Sequence, residues 1–576
     1  MYKDILIKEL VNLTRLKLEE LENLIEIPPN PNLGDYSFPC FILSKRERKA
    51  PNIIAEHFAK ELSKKLPKRF ESVKSTGPYL NFFINKKILA EQILKLNSNF
   101  GKTGIGKKHK IVIDFSAPNI GKPMHIGHIR STILGDSLMR IYDFLDYNPI
   151  GINYLGDTGL HIGKLIVAYE LWLDKVAIKS SPVEELLRLY VKFCEKEKSE
   201  VVEGVDAEEE FSNNEWTKKA KEKLKLLELG DKSAHKIWMD IQKFSGKGFD
   251  KVYNLLNVNF HETTGQSKFS EKGKEIVTNA LKKGIAKKET DGAIYVQIDK
   301  NNPESKKYIL RSNGTASYIT QDLGAAVERA KKYKFNKMIY ITDFRQASHF
   351  SALFTILNTL GYDFTPKMFH LGFGTVKFGN EIITSRTGKI ILLEDVLNKT
   401  IEKAKEEIDK RETKGDPTKV GVGAIKYIIL KNEPIKDVQF SWEQALSFEG
   451  NTGPYLQYSY ARASSIIRKA KNFNKGKLDL KKYNLAKEEI ALIKKIYDLP
   501  EIVVQAGDKM NPALIANYSH ELCQIFNEFY HNCPVLNDKD NKNKETEAFR
   551  LRLVDSFRTT LKNALYLLGI EVMEEM

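Results

Sequence analysis

Apolar residues recur every three or four positions along MYKDILIKELVNLTRLKLEEL (1–21) and again along APNIIAEHFAKELSKKL (50–66). That spacing predicts two amphipathic helices. Between them PPNPNLGDYSF (28–38) is turn-rich, and YLNFFIN (79–85) reads as a strand. The first hundred residues therefore form a small α+β unit, and the Gly/Lys-rich GKTGIGKKHK (101–110) looks like a linker. Beyond it come three short apolar, β-branched runs: KIVIDFS (110–116), PIGINYL (149–155) and KMIYITD (337–343). Each is followed by helical spacing, and strands alternating with helices imply βαβ units and a parallel sheet. Residues 170–255 are long, charged and helical, as expected of an insertion outside that sheet. From about 396 onward the strand patterns fade. The segments starting LLEDVLNKT, GPYLQYSYAR, NLAKEEIAL and FRLRLVDSF repeat apolar residues at 3–4 spacing, which predicts a helical bundle.

A chain of 576 residues has room for three or four domains. Its 42% hydrophobic and 29% charged residues are those of a folded protein rather than a disordered one. No apolar run reaches the ~18–20 residues of a membrane span, and the charged N-terminus lacks the apolar core of a signal peptide. Four scattered cysteines without a C-x-x-C pair argue against a disulfide scaffold and a cysteine-based zinc site. A cytoplasmic protein with no membrane partner is expected. Lys and Arg number 91 against 75 Asp and Glu, a formal +16. Such an excess favours a polyanionic partner, or else serves solubility alone.

Chemistry concentrates in DFSAPNIGKPMHIGHIRSTILGD (114–136). A strand feeds a Pro/Asn/Gly loop and a helix opens near His125, where backbone N–H groups and the helix dipole favour a phosphate. His125 and His128 share one face of the first turn. Gly127 lets a flat base approach the backbone, and Lys122 and Arg130 add positive charge on either side. Taken bare, H-x-G-H more often marks a pair of capping surface histidines, and without a third ligand it is poor evidence for half of a zinc site; the strand, loop and helix around it favour the phosphate.

The HIGH tetrapeptide (125–128) resembles the signature of class I aminoacyl-tRNA synthetases. SAPNIGKPMHIGHIRSTILGD together with NYLGDTGLHIGKL (153–165) resembles arginyl-tRNA synthetases in particular. LGDYSF and GPYLNFFIN are similar to that family's N-terminal tRNA-binding module, and NTGPYLQYSYAR (451–462) and LKNALYLLGIEVMEEM to its helical anticodon-binding domain. The resemblance implies a Rossmann-type, doubly wound parallel-sheet catalytic core at 106–395 with a helical insertion near 170–255. It implies a tRNA-binding α+β domain at 1–105 and an all-α anticodon-binding bundle at 396–576. The implied activity is two-step: arginine and Mg-ATP give arginyl-adenylate and pyrophosphate, and arginine then passes to the terminal adenosine of tRNA(Arg). No protein metal site is expected, and the implied state is a monomer.

Residue by residue, the resemblance assigns catalysis to His125, His128 and Lys122, and ATP binding to these with Gly127, Ser385, Arg386 and Lys389. Arginine would be held by Asp114, Asn119, Tyr318, Asp322 and Gln346, with His349 three positions beyond. Tyr318 and Asp322 stand i, i+4 on one predicted helical face. The family's further glutamate falls on Gln266, unless Glu262 takes its role. EIITSRTGKI (381–390) replaces a lysine-rich second signature, and Lys122 stands where a compensating lysine is expected. His161-Ile162-Gly163-Lys164 mimics HIGH by letters; it reads as mid-helix packing, with Asp157 a supporting group. Tyr455, Tyr458, Tyr460 and Arg462 alternate aromatic and basic character, suited to RNA stacking or, one by one, to helix packing. Two alternatives remain: a synthetase for another amino acid, and a synthetase-like RNA-binding protein without catalysis. A small nucleotidyltransferase with a HIGH-type site is disfavoured by length.

Overall fold

A computed structural model describes residues 2–199, 214–299, 301–302, 304–378, 381–382, 392–470, 478–480, 483–536 and 544–576. They form two compact units. One comprises Met1–Asn99, Ile466–Asp498 and Gln524–Thr559, and the other Phe100–Ser465, Leu499–Cys523 and Thr560–Met576.

In the first unit, strands β1 (Tyr36–Pro39), β2 (Phe70–Thr76) and β3 (Tyr79–Ile84) form an antiparallel sheet in the order β1-β3-β2. The Tyr2–Thr14 helix buries Tyr2, Leu6 and Leu10, spaced by four as an amphipathic helix requires. Tyr2 packs edge-on against Phe70 at 5.6 Å and Tyr497 at 5.2 Å.

The second unit is built on a five-stranded sheet. Its strands are β4 (Lys110–Asp114), β5 (Asn148–Leu155), β6 (Glu262–Gly265), β10 (Lys337–Asp343) and β11 (Met368–Phe373). Between them in the chain, β7 (Ala286–Lys288), β8 (Ile294–Gln297) and β9 (Lys306–Leu310) make a separate antiparallel sheet. The five strands run parallel in the order β11-β10-β4-β5-β6. Ile111, Val112 and Ile113 of β4 are all buried, as expected of a central strand covered on both faces. Chain order thus runs outward from β4 to β6 and then restarts on the other side at β10. A doubly wound sheet binds ligands at that reversal, beyond the strands' carboxyl ends.

β4, β5 and β10 fall on the three runs expected to be strands. β6 (ETTG) has no apolar residue to make it stand out, whereas β11 (MFHLGF) is apolar at four of six positions and was not among the expected runs. Residues 101–109, a linker by composition, are pinned: the N–H groups of Gly106 and Lys108 donate to the carbonyls of Leu145 at 2.9 Å and Asp146 at 2.7 Å. The insertion is helical as expected, but it also reaches the sheet. Tyr253, on the Lys232–Leu256 helix, has its hydroxyl 2.8 Å from Ser116 Oγ and 3.1 Å from Asn153 Nδ2. Downstream, Leu393–Lys410, Pro417–Leu430, Gly453–Lys469 and Leu499–Asp508 are helices, as the bundle pattern requires.

Candidate active site

β4 ends on Asp114, and the next residues turn sharply: Ser116 and Ala117 both have positive φ, 73° and 50°. Left-handed backbone at two L-residues costs of order 1–3 kcal/mol each, and a buried network holds it. Ser116 N–H donates to Ser131 Oγ at 2.9 Å, Thr132 Oγ1 to Ser116 Oγ at 2.8 Å, and Ala117 N–H to Asn153 Oδ1 at 3.2 Å. The loop then reaches His125, which caps the Ile126–Phe144 helix.

The two histidines interlock with the helix terminus. His125 Nδ1 accepts from the Gly127 N–H, and His128 Nδ1 accepts from the His125 N–H, both at 3.1 Å. An acceptor nitrogen carries no proton, so each neutral ring keeps its hydrogen on Nε2. Burial lowers the pKa of His125 to about 4, helped by the Lys122 charge, and that of His128 to about 3, helped by the His125 charge. Both rings are therefore uncharged N–H donors at neutral pH, their centroids 4.0 Å apart. A Cβ on Gly127 would lie 2.8 Å from the His125 ring, so glycine is needed here for close approach.

Lys122 is half-buried, with its ammonium 4.4 Å from the centre of the Tyr190 ring. Burial lowers its pKa. A cavity of about 370 Å³ opens beside it, lined by Lys122, Lys179, Lys247 and Lys251 against Glu184, Glu394 and Asp395. Arg130, expected to flank the phosphate, instead lies fully buried and donates to the carbonyls of Lys436 and Glu433. Its pKa falls to about 10 through burial; it staples a loop.

On the other side of the reversal, Tyr318 opens the Tyr318–Tyr333 helix and is 52% exposed. One turn on, Asp322 Oδ2 stands 2.7 Å from His349 Nε2. Gln346 is exposed in the turn after β10. Asp114 is buried and its carboxylate is held by Arg329 Nη1 at 2.7 Å. Burial raises the Asp114 pKa and Arg329 opposes that rise. Asn119 is exposed; its side chain lies over Gly156, where a Cβ would sit 1.9 Å from Asn119 Oδ1.

Glu262 begins β6 and is engaged by the Tyr333 hydroxyl, by Lys332 at 2.6 Å and by Lys268 at 3.6 Å. Gln266 follows the carboxyl end of β6, and its buried Oε1 has no hydrogen-bond partner among the described residues. Asp157 supports that turn by accepting from Ser267 N–H at 2.8 Å and Ser267 Oγ at 2.6 Å. His161 is not mid-helix: the Leu160–Trp172 helix starts one residue earlier. Its Nε2 is buried without a hydrogen-bond partner among the described residues, and burial with the Lys122 charge takes its pKa to about 4. The HIGH-like letters hid a residue that belongs to this neighbourhood. Tyr190, Tyr253 and Arg329 gave no sequence signal at all.

Ser385, Arg386 and Lys389 lie outside the described residues. On the Gly453–Lys469 helix, the Arg462 guanidinium sits 4.8 Å from the Tyr458 ring centre, and Tyr455 packs 5.7 Å from His520. Tyr460 is buried and donates to Glu574 Oε1 at 3.0 Å, a packing role. Among the described residues no group of three or more His, Cys, Asp or Glu side chains is placed to hold a metal ion. No helix among them is long and apolar enough to cross a membrane.

A parallel sheet that reverses at β4, with HIGH capping the helix that follows it, defines a class I aminoacyl-tRNA synthetase catalytic core. Residues 90–442 match the model for the catalytic domain of class I tRNA synthetases (R), 1–84 that for the arginyl-tRNA synthetase N-terminal domain, and 456–576 the DALR anticodon binding domain. The chain is 39% identical over 584 residues to an arginine–tRNA ligase of Clostridium botulinum, covering 100% of each. It superposes on the Thermus thermophilus arginyl-tRNA synthetase with a TM-score of 0.78 at 25% identity, covering 96% of each chain. The Plasmodium falciparum enzyme gives 0.76 at 26%, with 96% and 94% covered. The chain belongs to the arginyl-tRNA synthetase family.

Proposed function

We propose that this arginine–tRNA ligase runs its first step on the groups gathered beyond β4 and β10. Arginine binds with its guanidinium on Asp322, beside Tyr318, Gln346 and Gln266, and with its α-amino end toward Asn119 and Asp114. A carboxylate oxygen of arginine attacks the α-phosphorus of Mg-ATP, the bond to the bridging oxygen breaks, and pyrophosphate leaves. The observation that carries this reading is the histidine pair: two neutral Nε2–H donors fixed at a helix N-terminus. Negative charge building on α-phosphate oxygens is stabilised by such preorganised donors, which need no rearrangement at the moment of reaction.

Lys122, beside a lysine-rich cavity, steadies the departing pyrophosphate in place of the missing second-signature lysine. Ser385, Arg386 and Lys389 add further phosphate contacts. In the second step the terminal adenosine of tRNA(Arg) takes the arginyl group and AMP leaves. Residues 1–105 and 396–576 bind the tRNA body and anticodon, with Tyr455, Tyr458 and Arg462 contacting RNA, and 106–395 hold the chemistry. The working form is a cytoplasmic monomer.

ATP–pyrophosphate exchange with each of the twenty amino acids, with and without tRNA(Arg), tests the reading. Exchange with arginine alone supports it, and a requirement for tRNA would show that RNA completes the site. Absence of exchange in every mixture would overturn the assignment of catalysis.

A further inference from the structure

Asp322 is already occupied. Its Oδ2 lies 2.7 Å from Nε2 of His349, a residue brought by the Ala347–Thr359 helix on the far side of β10. Both side chains are largely shielded, 17% exposed for Asp322 and 23% for His349. The histidine is held from behind. Its ring packs edge-on against Phe350 at 5.4 Å, and Phe350 stacks on His370 of β11 at 4.6 Å with the planes 11° apart. His370 in turn has its Nε2 2.9 Å from Thr342 Oγ1. A column of side chains from three neighbouring elements thus aims one imidazole N–H at one carboxylate oxygen.

We propose that His349 is a positioning residue for arginine recognition. Its Nε2–H fixes the Asp322 carboxylate so that Oδ1, and the remaining lone pair of Oδ2, face the guanidinium. This rests on the reading of Asp322 as the guanidinium's partner. A carboxylate on one flexible bond rotates; planar, two-point pairing with a guanidinium needs it held. His349 supplies the hold from the rear and never touches substrate.

Other titratable and charged groups surround the pair. Asp322 faces His349 from the Tyr318–Tyr333 helix, and His370 faces it from β11, its own pKa lowered by burial and by the His349 charge. Behind Asp322 stand Asp114, Arg329, Tyr154 and Tyr340, the first, third and fourth raised in pKa in part by the Asp322 charge. The His349 hydrogen bond uses one lone pair of Oδ2 and leaves the rest of the carboxylate to the substrate.

Arginine-dependent exchange, in the full-length protein with saturating tRNA(Arg), tests this with His349→Phe, His349→Gln and Asp322→Asn. The phenylalanine keeps the ring without the donor, and the glutamine restores an N–H at similar reach. Losing a hydrogen bond to a charged group should raise the KM for arginine by about 10- to 100-fold in His349→Phe. The KM for ATP should stay within about threefold, and His349→Gln should recover most of the loss. An unchanged KM for arginine in His349→Phe overturns the proposal. So does equal impairment in His349→Gln, because packing alone would then explain both. An unchanged KM for arginine in Asp322→Asn overturns the reading of Asp322 itself, and the proposal with it. That result is read on a different residue, so the two failures are distinguishable.

Discussion

His125 and His128 each spend a ring lone pair on a backbone N–H, which commits the remaining nitrogen of each to donation. Removing one preorganised donor costs about 10²–10³ in rate in comparable sites, so His125→Ala and His128→Ala should each lower exchange turnover by that factor while the protein stays folded. A folded variant with near-native turnover would remove the pair from the mechanism. The pH dependence follows from pKa values of about 4 and about 3. Below an ordinary imidazole pKa near 6.5 the unfolded chain takes up protons that the folded site refuses. Stability from these rings is thus whole above pH 6.5 and is lost as pH falls toward 4. Turnover should not titrate between pH 8 and 6 on their account. A pKa near 6.5 in the rate profile that disappears in His128→Ala would show the rings are not held neutral. Lys122 makes a second residue-scale prediction. Its shielded ammonium sits over Tyr190 beside the lysine-lined cavity. Lys122→Ala should therefore depress exchange more than Lys389→Ala, and the opposite order would assign the pyrophosphate contact to the 381–390 segment. At this scale HIGH was legible because four adjacent letters carry it. Tyr190 and Arg329 were not, because only folding brings them to Lys122 and Asp114; His349 was legible beside Gln346, but its pairing with Asp322 appears only in the fold.

β4, β5 and β10 announce themselves as apolar runs because both faces of each are covered, so there is no polar alternation to dilute the pattern. β6 is the polar tetrapeptide Glu262–Gly265 at the sheet's edge, and only its partner β5 makes it a strand. The insertion hid more. Tyr253 lies 137 residues from Ser116, yet its hydroxyl joins the network under the two left-handed residues. Tyr253→Phe leaves the Ser116 and Asn153 groups short of a partner, a loss of about 1–3 kcal/mol. Part of that should appear as a lower unfolding midpoint in thermal melts. The rest should appear as lower exchange turnover, because the turn aims the His125 helix. A variant with native midpoint and native turnover would mean that the strained turn stands without the insertion. Gly156→Ala tests the neighbouring element more locally: its methyl would occupy the place of Asn119 Oδ1. The expected result is a raised KM for arginine with the KM for ATP little changed.

Within the larger unit, parts far apart in the chain meet around the signature helix. Asp136 on that helix, 3.7 Å from Lys426, sits beside the chain's last turn, where Lys426 donates to the Gly569 carbonyl at 2.8 Å. Gly569 has φ +67°, and any Cβ there would come within 2.7 Å of both Asp136 Oδ2 and Lys426 Nζ. The signature helix, the Pro417–Leu430 helix and the turn at Gly569 are thus packed together. This is an arrangement no local pattern discloses, although matches to three family models along the chain fit it. Charge acts on the same scale. The formal +16 favours a polyanionic partner, and a tRNA substrate gives the excess a role. Each phosphate neutralised releases counterions, so log affinity falls with log salt by about 0.7–0.9 per contact. With three or more such contacts, the KM for tRNA should rise about tenfold or more between 50 and 200 mM KCl. The KM for arginine, measured at saturating tRNA, should move far less, because its proposed partner Asp322 is shielded from the solution ions. A KM for tRNA that is flat across that range would place the positive excess away from the RNA and return it to solubility. Parallel rises in both constants would point to salt acting on the fold.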